Sequence, residues 1–119
     1  MTVRRIKSYS AQTGYVYQYY FDEVRAEQRR AGQEGTEYVY VVSRDRKHTF
    51  LVPVFLRRQA LEEWAKRHGR RLNGTEEYAA AKMRLFAAFD GLPELEAKRL
   101  TIEVTSENLE ELLAQLDID

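Results

Sequence analysis

From Tyr38 to Leu56 the chain alternates apolar residues, breaks for a polar tip, and alternates again. Tyr38, Tyr40 and Val42 fall on one side and Val39 and Val41 on the other. Ser43-Arg44-Asp45-Arg46-Lys47-His48 is polar throughout, after which Phe50, Val52, Val54 and Leu56 oppose Leu51, Pro53 and Phe55. A period of two in β-branched and aromatic residues, closed by a polar tip, predicts a β-hairpin. Pro53 has no N–H for a ladder, so its strand is expected to be an edge there, or bulged.

The same pattern runs upstream. Val3, Ile6 and Tyr9 among polar neighbours predict an edge strand, and Ala11-Gln12-Thr13-Gly14 a turn. Tyr15, Tyr17, Tyr19 and Phe21 then alternate with Val16, Gln18 and Tyr20, which predicts a second strand. Arg25 to Gly35 holds too few apolar residues for core and reads as a long hairpin connection, into which the preceding strand can extend.

Beyond Arg57 the period lengthens. Ala60 or Leu61, Trp64, Ala65 and His68 share a helix face, with Gly69 as the stop. Thr75 is the expected cap of a second helix, with Glu76 and Glu77 in its first turn. Tyr78, Ala79, Met83, Leu85, Phe86 and Phe89 give it the broadest apolar stripe, and Gly91 and Pro93 end it. Leu100, Ile102 and Val104 predict a last strand. Ser106 is the expected cap of a helix whose Leu109, Leu112, Leu113 and Leu116 lie at i, i+3, i+4 and i+7.

The order is β-β-β-β-α-α-β-α, so the fold class is α+β: an antiparallel four- to five-stranded meander sheet with three helices packed mainly on one face. The pattern leaves the last strand beside either the first or the fourth. At 119 residues the chain is expected to form a single α+β domain, 1–119.

Composition narrows the function classes. The chain has no cysteine, which excludes disulfides, thiolate metal sites and cysteine nucleophiles. No apolar run reaches the ~20 residues a membrane helix needs, and no signal-peptide pattern opens the chain. A cytoplasmic protein without membrane contact is expected. Formal net charge is zero but uneven: +1 over Met1–Ser43, +6 over Arg44–Arg71 and −7 over Leu72–Asp119. The two charged segments either face each other or leave the basic one for a polyanion.

Helices covering one sheet face leave the other open. Tyrosine suits an open face, because its ring offers contact area while its hydroxyl stays wet. Val16, Val39, Val41 and Val54 fit the dry side better. Tyr15, Tyr17, Tyr19, Phe21, Tyr38 and Tyr40 are therefore the candidate interaction surface. A cross-strand aromatic ladder with a purely structural role is the competing account of the same residues. As a function, a small non-enzymatic interaction module is expected, self-associating as a dimer or meeting another protein through this face. The alternative is single-stranded nucleic acid stacked on the tyrosines beside the basic tip. Candidate anion contacts are Arg44, Arg46 and Lys47, with Arg70 and Arg71 as a weaker pair.

No catalytic pattern emerges. Gly69 to Thr75 has the outer spacing of a phosphate loop but lacks its lysine and follows a helix. A helix-turn-helix over the same region would read DNA through an acidic first turn. His48 and His68 have no carboxylate at ligand spacing, and Glu107, Glu110 and Glu111 fall on a polar helix face. No metal, cofactor or catalytic residue is expected.

Overall fold

A computed structural model describes residues 5–92, 95 and 102–118. Strands β1 (Lys7–Ser10), β2 (Val16–Arg30), β3 (Gln33–Ser43) and β4 (Phe50–Arg57) are followed by helices α1 (Arg58–His68) and α2 (Gly74–Gly91). Strand β5 (Ile102–Val104) and the short helix α3 (Leu109–Ala114) complete the order. Val3, Pro93 and Leu100, all used in the sequence reading, lie outside the described residues.

The strands form one strongly curled five-stranded sheet in the order β1-β2-β3-β4-β5. The first three pairings are antiparallel hairpins, as the alternation predicts. The fourth corrects the meander: β5 lies beside β4 and parallel to it, with Val54 opposite Ile102 and Leu56 opposite Val104. A tight turn returns a chain antiparallel, whereas a crossover through helices returns it in the same direction. Here α1 and α2 are that crossover. Pro53 stands one residue before the β5 ladder begins, where among the described residues only β3 is paired with β4.

The Arg25–Gly35 connection is also corrected, since nearly all of it is strand. β2 runs to Arg30, β3 begins at Gln33, and the loop is Ala31-Gly32. Both loop residues have positive φ, 50° and 79°, as a type I′ hairpin turn requires. Two irregularities bend β2, one at Asp22 and one at Ala26–Glu27, where Glu27 takes φ 55°. Among the described residues β2 meets β1 over Val16–Tyr19 alone, and bulges and alternating charge punctuate β2 past Tyr20.

β4 passes into α1 without a loop, and α1 stops at Gly69 (φ 70°), whose N–H donates to the Ala65 carbonyl at 2.9 Å. The cap of α2 is Asn73, not Thr75. Its side chain accepts from the Glu76 N–H at 2.9 Å while Glu76 accepts from the Asn73 N–H at 3.0 Å, a complete capping box. Ser106 does not cap α3 either. Asn108 closes the approach, accepting from the Thr105 N–H and donating to the Glu103 carbonyl. Arg57 and Arg84 both bond Glu103, tying β4 and α2 to β5.

Candidate functional site

Strand register decides which side chains share a face. Tyr17, Tyr19, Tyr38 and Tyr40 stand on the side of Val42, Val52, Val54 and Leu56, and this side carries the main core. Tyr17 and Tyr40 are 0% exposed. Helix α2 lies over them. Its Phe89 stacks on Tyr17 with centroids 4.2 Å apart, Phe86 stacks on Tyr9 at 4.4 Å, and Tyr78 meets Phe21 edge-on at 5.3 Å. Burial pushes the Tyr38 hydroxyl up to about 12, with Glu77 adding to it, and lifts Tyr40 well above its ordinary value.

The expectation that the tyrosines stand on the open face is therefore corrected. Of the six candidates, Tyr17, Tyr19, Tyr38 and Tyr40 are core, Phe21 is half-buried, and Tyr15 alone is substantially exposed at 43%. The physical reason is the aromatic character of α2. Rings at positions 78, 86 and 89 meet sheet rings at stacked and edge-on distances, and such pairs gain ~0.5–1.5 kcal/mol each beyond area burial. The helix selects the aromatic face; on the other face Val39 and Phe55 are still buried, and the exposed apolar side chains lie toward Ile6 and Leu51.

The candidate cations go to two separate places. Arg44, Arg46 and Lys47 sit in the β3–β4 tip, which Asp45 organises by accepting from the Lys47 and His48 N–H groups, each at 2.8 Å. These bonds and the His48 ring at 2.7 Å hold its carboxyl well below the usual range. Arg44 lies 4.5 Å over the Tyr15 ring, while Arg46 borders the open face. Arg70 and Arg71 follow α1. Arg70 forms a fork with Glu76 at 2.9 and 3.0 Å and lies 5.1 Å over the Trp64 ring. That fork and the Asn73 N–H draw Glu76 down to about 2. Arg70 thus serves the capping box.

Two surfaces escaped the sequence reading. The first crosses the uncovered sheet face. Tyr20 opposes Val41, Val41 opposes Leu51, and Ile6, just before β1, flanks Tyr20, so three strands and the residue leading into β1 make one apolar row. Ile6 is 66% and Leu51 53% exposed. Beside the row lies a hollow of about 410 Å³, lined also by Ser8, Gln18, Ser43, Thr49 and Arg46. The strand pattern contained this row; the missing information was which face the helices choose.

The second is a cleft of about 460 Å³ where β1 begins, between β2 and α2. Arg5, Lys7 and Lys82 converge on it, with Tyr19, Phe21 and Tyr78 as apolar lining and Tyr20 and Asp22 on the rim. Lys82 Nζ is 5.9 Å from the Tyr19 ring centroid and 5.8 Å from that of Phe86. Burial, then the nearby Lys7 amine, lowers its proton affinity. Tyr78 and Lys82 at i, i+4 were the only local signal.

Among the described residues no group of three or more His, Asp or Glu side chains is placed to hold a metal ion, and no helix is long and apolar enough to cross a membrane. Comparison of the chain with protein-family models, with curated proteins and with solved structures finds no match.

Proposed function

We propose that the protein is a small non-enzymatic interaction module that self-associates through the uncovered face of its sheet. The observation that carries this reading is the Ile6–Tyr20–Val41–Leu51 row, in which the exposed Ile6 and Leu51 flank the half-buried Tyr20 and Val41 across adjacent strands. Scattered surface aliphatics need no explanation, but a contiguous row on an uncovered sheet face marks a contact surface. A second copy of the chain fits it best. Sheets stack face to face about 10 Å apart through such rows, and a two-fold axis pairs one apolar row with its copy. The row is flanked by the uncharged Ser8, Gln18 and Ser43, so closing it desolvates no ion at its centre. The chain's zero net charge adds no overall repulsion between copies.

The nucleic-acid reading rested on five tyrosines as a stacking platform. With four of them in the core, it keeps only Tyr15 with Arg44 above it, and the open-face Tyr20 near Arg46.

Light scattering at two protein and two salt concentrations tests the proposal. The expected mass is twice 14.0 kDa at the higher protein concentration, falling to 14.0 kDa in Leu51→Lys and Val41→Lys. A wild-type monomer under every condition, or a dimer indifferent to both substitutions, would overturn it.

A further inference from the structure

The cleft beside Lys82 holds an arrangement that the rest of the fold does not use. Lys7 comes from β1 and Lys82 from α2, 75 positions apart in the chain, yet both line the same cleft. Arg5 lines the same cleft. Among the described residues no ion pair joins any of the three to a carboxylate. Asp22 also lines it, so among the described residues the lining carries three cations and one anion.

Two ammonium groups lining one cleft repel each other unless an anion lies between them. Lys82 feels this directly: burial and the facing Lys7 both disfavour its charged form. A ligand with two negative charges would neutralise the surplus and accept hydrogen bonds from both amines and the guanidinium, the charge-assisted kind that are strongest. The volume of about 460 Å³ exceeds what a bare oxyanion fills and lies in the range of small-molecule sites. The surplus space is bordered by Phe21 and Tyr78, whose rings meet edge-on.

We infer that this cleft binds a phosphomonoester, with the phosphate held by Arg5, Lys7 and Lys82 and a small aromatic body seated against Phe21 and Tyr78. The site lies between β2 and α2 and shares only Tyr20 with the apolar row. Arg5, Lys7, Lys82, Phe21 and Tyr78, which would hold the ligand, are not part of that row, so the site stands or falls independently of self-association.

Calorimetric titration of the full chain with phenyl phosphate, inorganic phosphate and benzoate separates the parts of the site. Phenyl phosphate is expected to bind about tenfold more tightly than either of the others, since each omits one of the two contacts. Lys7→Gln and Lys82→Gln should each weaken it about tenfold, the loss of one charge-assisted contact. Arg5→Gln, at an exposed position that the core does not need, should weaken it in the same direction. Lysine side-chain NMR supplies the second readout: the Lys82 amine should titrate at higher pH when the cleft is saturated. Failure of all three compounds to saturate at millimolar concentration would overturn the inference, as would equal binding by wild type and the three variants. Benzoate matching phenyl phosphate would remove the phosphate, and inorganic phosphate matching it would remove the aromatic seat.

Discussion

The Tyr17 ring lies flat on the Phe89 ring, centroids 4.2 Å apart and planes 8° from parallel, and both side chains are fully buried. This contact joins the second strand to the far end of α2, across more than seventy residues. It also fixes which face of the sheet is covered. Every outward position on the sheet follows from that choice.

Phe89→Ala is accordingly expected to destabilise the protein by about 3–5 kcal/mol, the usual cost of emptying a buried aromatic site. Phe89 also lies within 6.0 Å of the Tyr9 and Tyr19 rings, so three partners lose contact at once. Urea denaturation followed by circular dichroism measures the loss. Phe89→Leu, which keeps most of the volume, should cost clearly less.

Gly35 shows a different constraint. A Cβ there would fall inside van der Waals contact with the Leu56 carbonyl oxygen and 2.8 Å from Cζ of the Phe55 ring. Phe55 covers the glycine diagonally across the β3–β4 pair and is itself fully buried. Gly35→Ala should destabilise by about 1–3 kcal/mol, an overpacking cost. Phe55→Leu in the same chain should recover part of it, because the ring can retreat while the backbone carbonyl cannot. Denaturant midpoints of the two variants and their combination decide this.

How much of this was legible beforehand depends on the range of the signal. The strands around Tyr17 and Tyr40, the three helices and the hairpin order of the first four strands follow from residues two to four positions apart, where periodicity reports directly. The parallel β4–β5 pair does not, since nothing in Ile102–Val104 encodes its neighbour. The Arg30–Gln33 turn was hidden because alanine is an unusual occupant of a positive-φ position. The covered face was inferred from tyrosine's liking for wet surfaces. That preference was overridden by the complementary rings of α2 at Tyr78, Phe86 and Phe89. Both candidate surfaces depended on that one choice, which is why they emerge only from the three-dimensional arrangement.

Ala31 itself is testable. An L-residue with a Cβ in the left-handed region is strained, and asparagine tolerates that region better. Ala31→Asn gives the Asn-Gly pair that type I′ turns prefer. The expected gain is about 0.5–1 kcal/mol, read as a raised denaturant midpoint with an unchanged slope. A loss would show that the turn departs from this geometry.

Tyr9 contributes to the alkaline pH dependence alongside the buried Tyr38 and Tyr40, and does so through a bond that can be removed. Its hydroxyl donates to Asp90 Oδ2 at 2.7 Å, and that bond, then burial, then the Asp90 charge raise it to about 12 from 10.0. A raised folded-state value means that the native protein keeps a proton the unfolded chain has released. The contribution is present in full below pH 10 and is lost as pH rises toward 12. Asp90→Asn retains an oxygen to accept the Gln12 N–H but removes the charge. Phenolate absorbance should then show Tyr9 titrating closer to 10, and the stability lost between pH 10 and 12 should shrink, because the gap between the folded and unfolded values closes.

Glu37 is the one charged side chain among the described residues that is buried, at 3% exposed. It stands beside Val39 and opposite Phe55 on the face away from the helices. Arg30 donates to it at 2.8 Å, and Arg25 reaches it at 3.4 Å while holding Glu23 with its other donors. The two arginines remain half-exposed, so their own desolvation is small, whereas the carboxylate has exchanged water for them. Removing both guanidiniums should cost more than the sum of two surface ion pairs, because it leaves a buried charge without partners. Arg25→Met with Arg30→Met is expected to destabilise by about 1–3 kcal/mol or more. Adding Glu37→Gln should recover part of that loss, since an amide is cheaper to bury than an ion. A double-mutant cycle on the three positions gives the coupling directly. Additive losses would mean that water, not arginine, satisfies Glu37. Strong coupling would identify the Arg25–Glu37–Arg30 clamp as the device that lets a carboxylate sit against Val39 and Phe55 and close one end of an otherwise uncovered face.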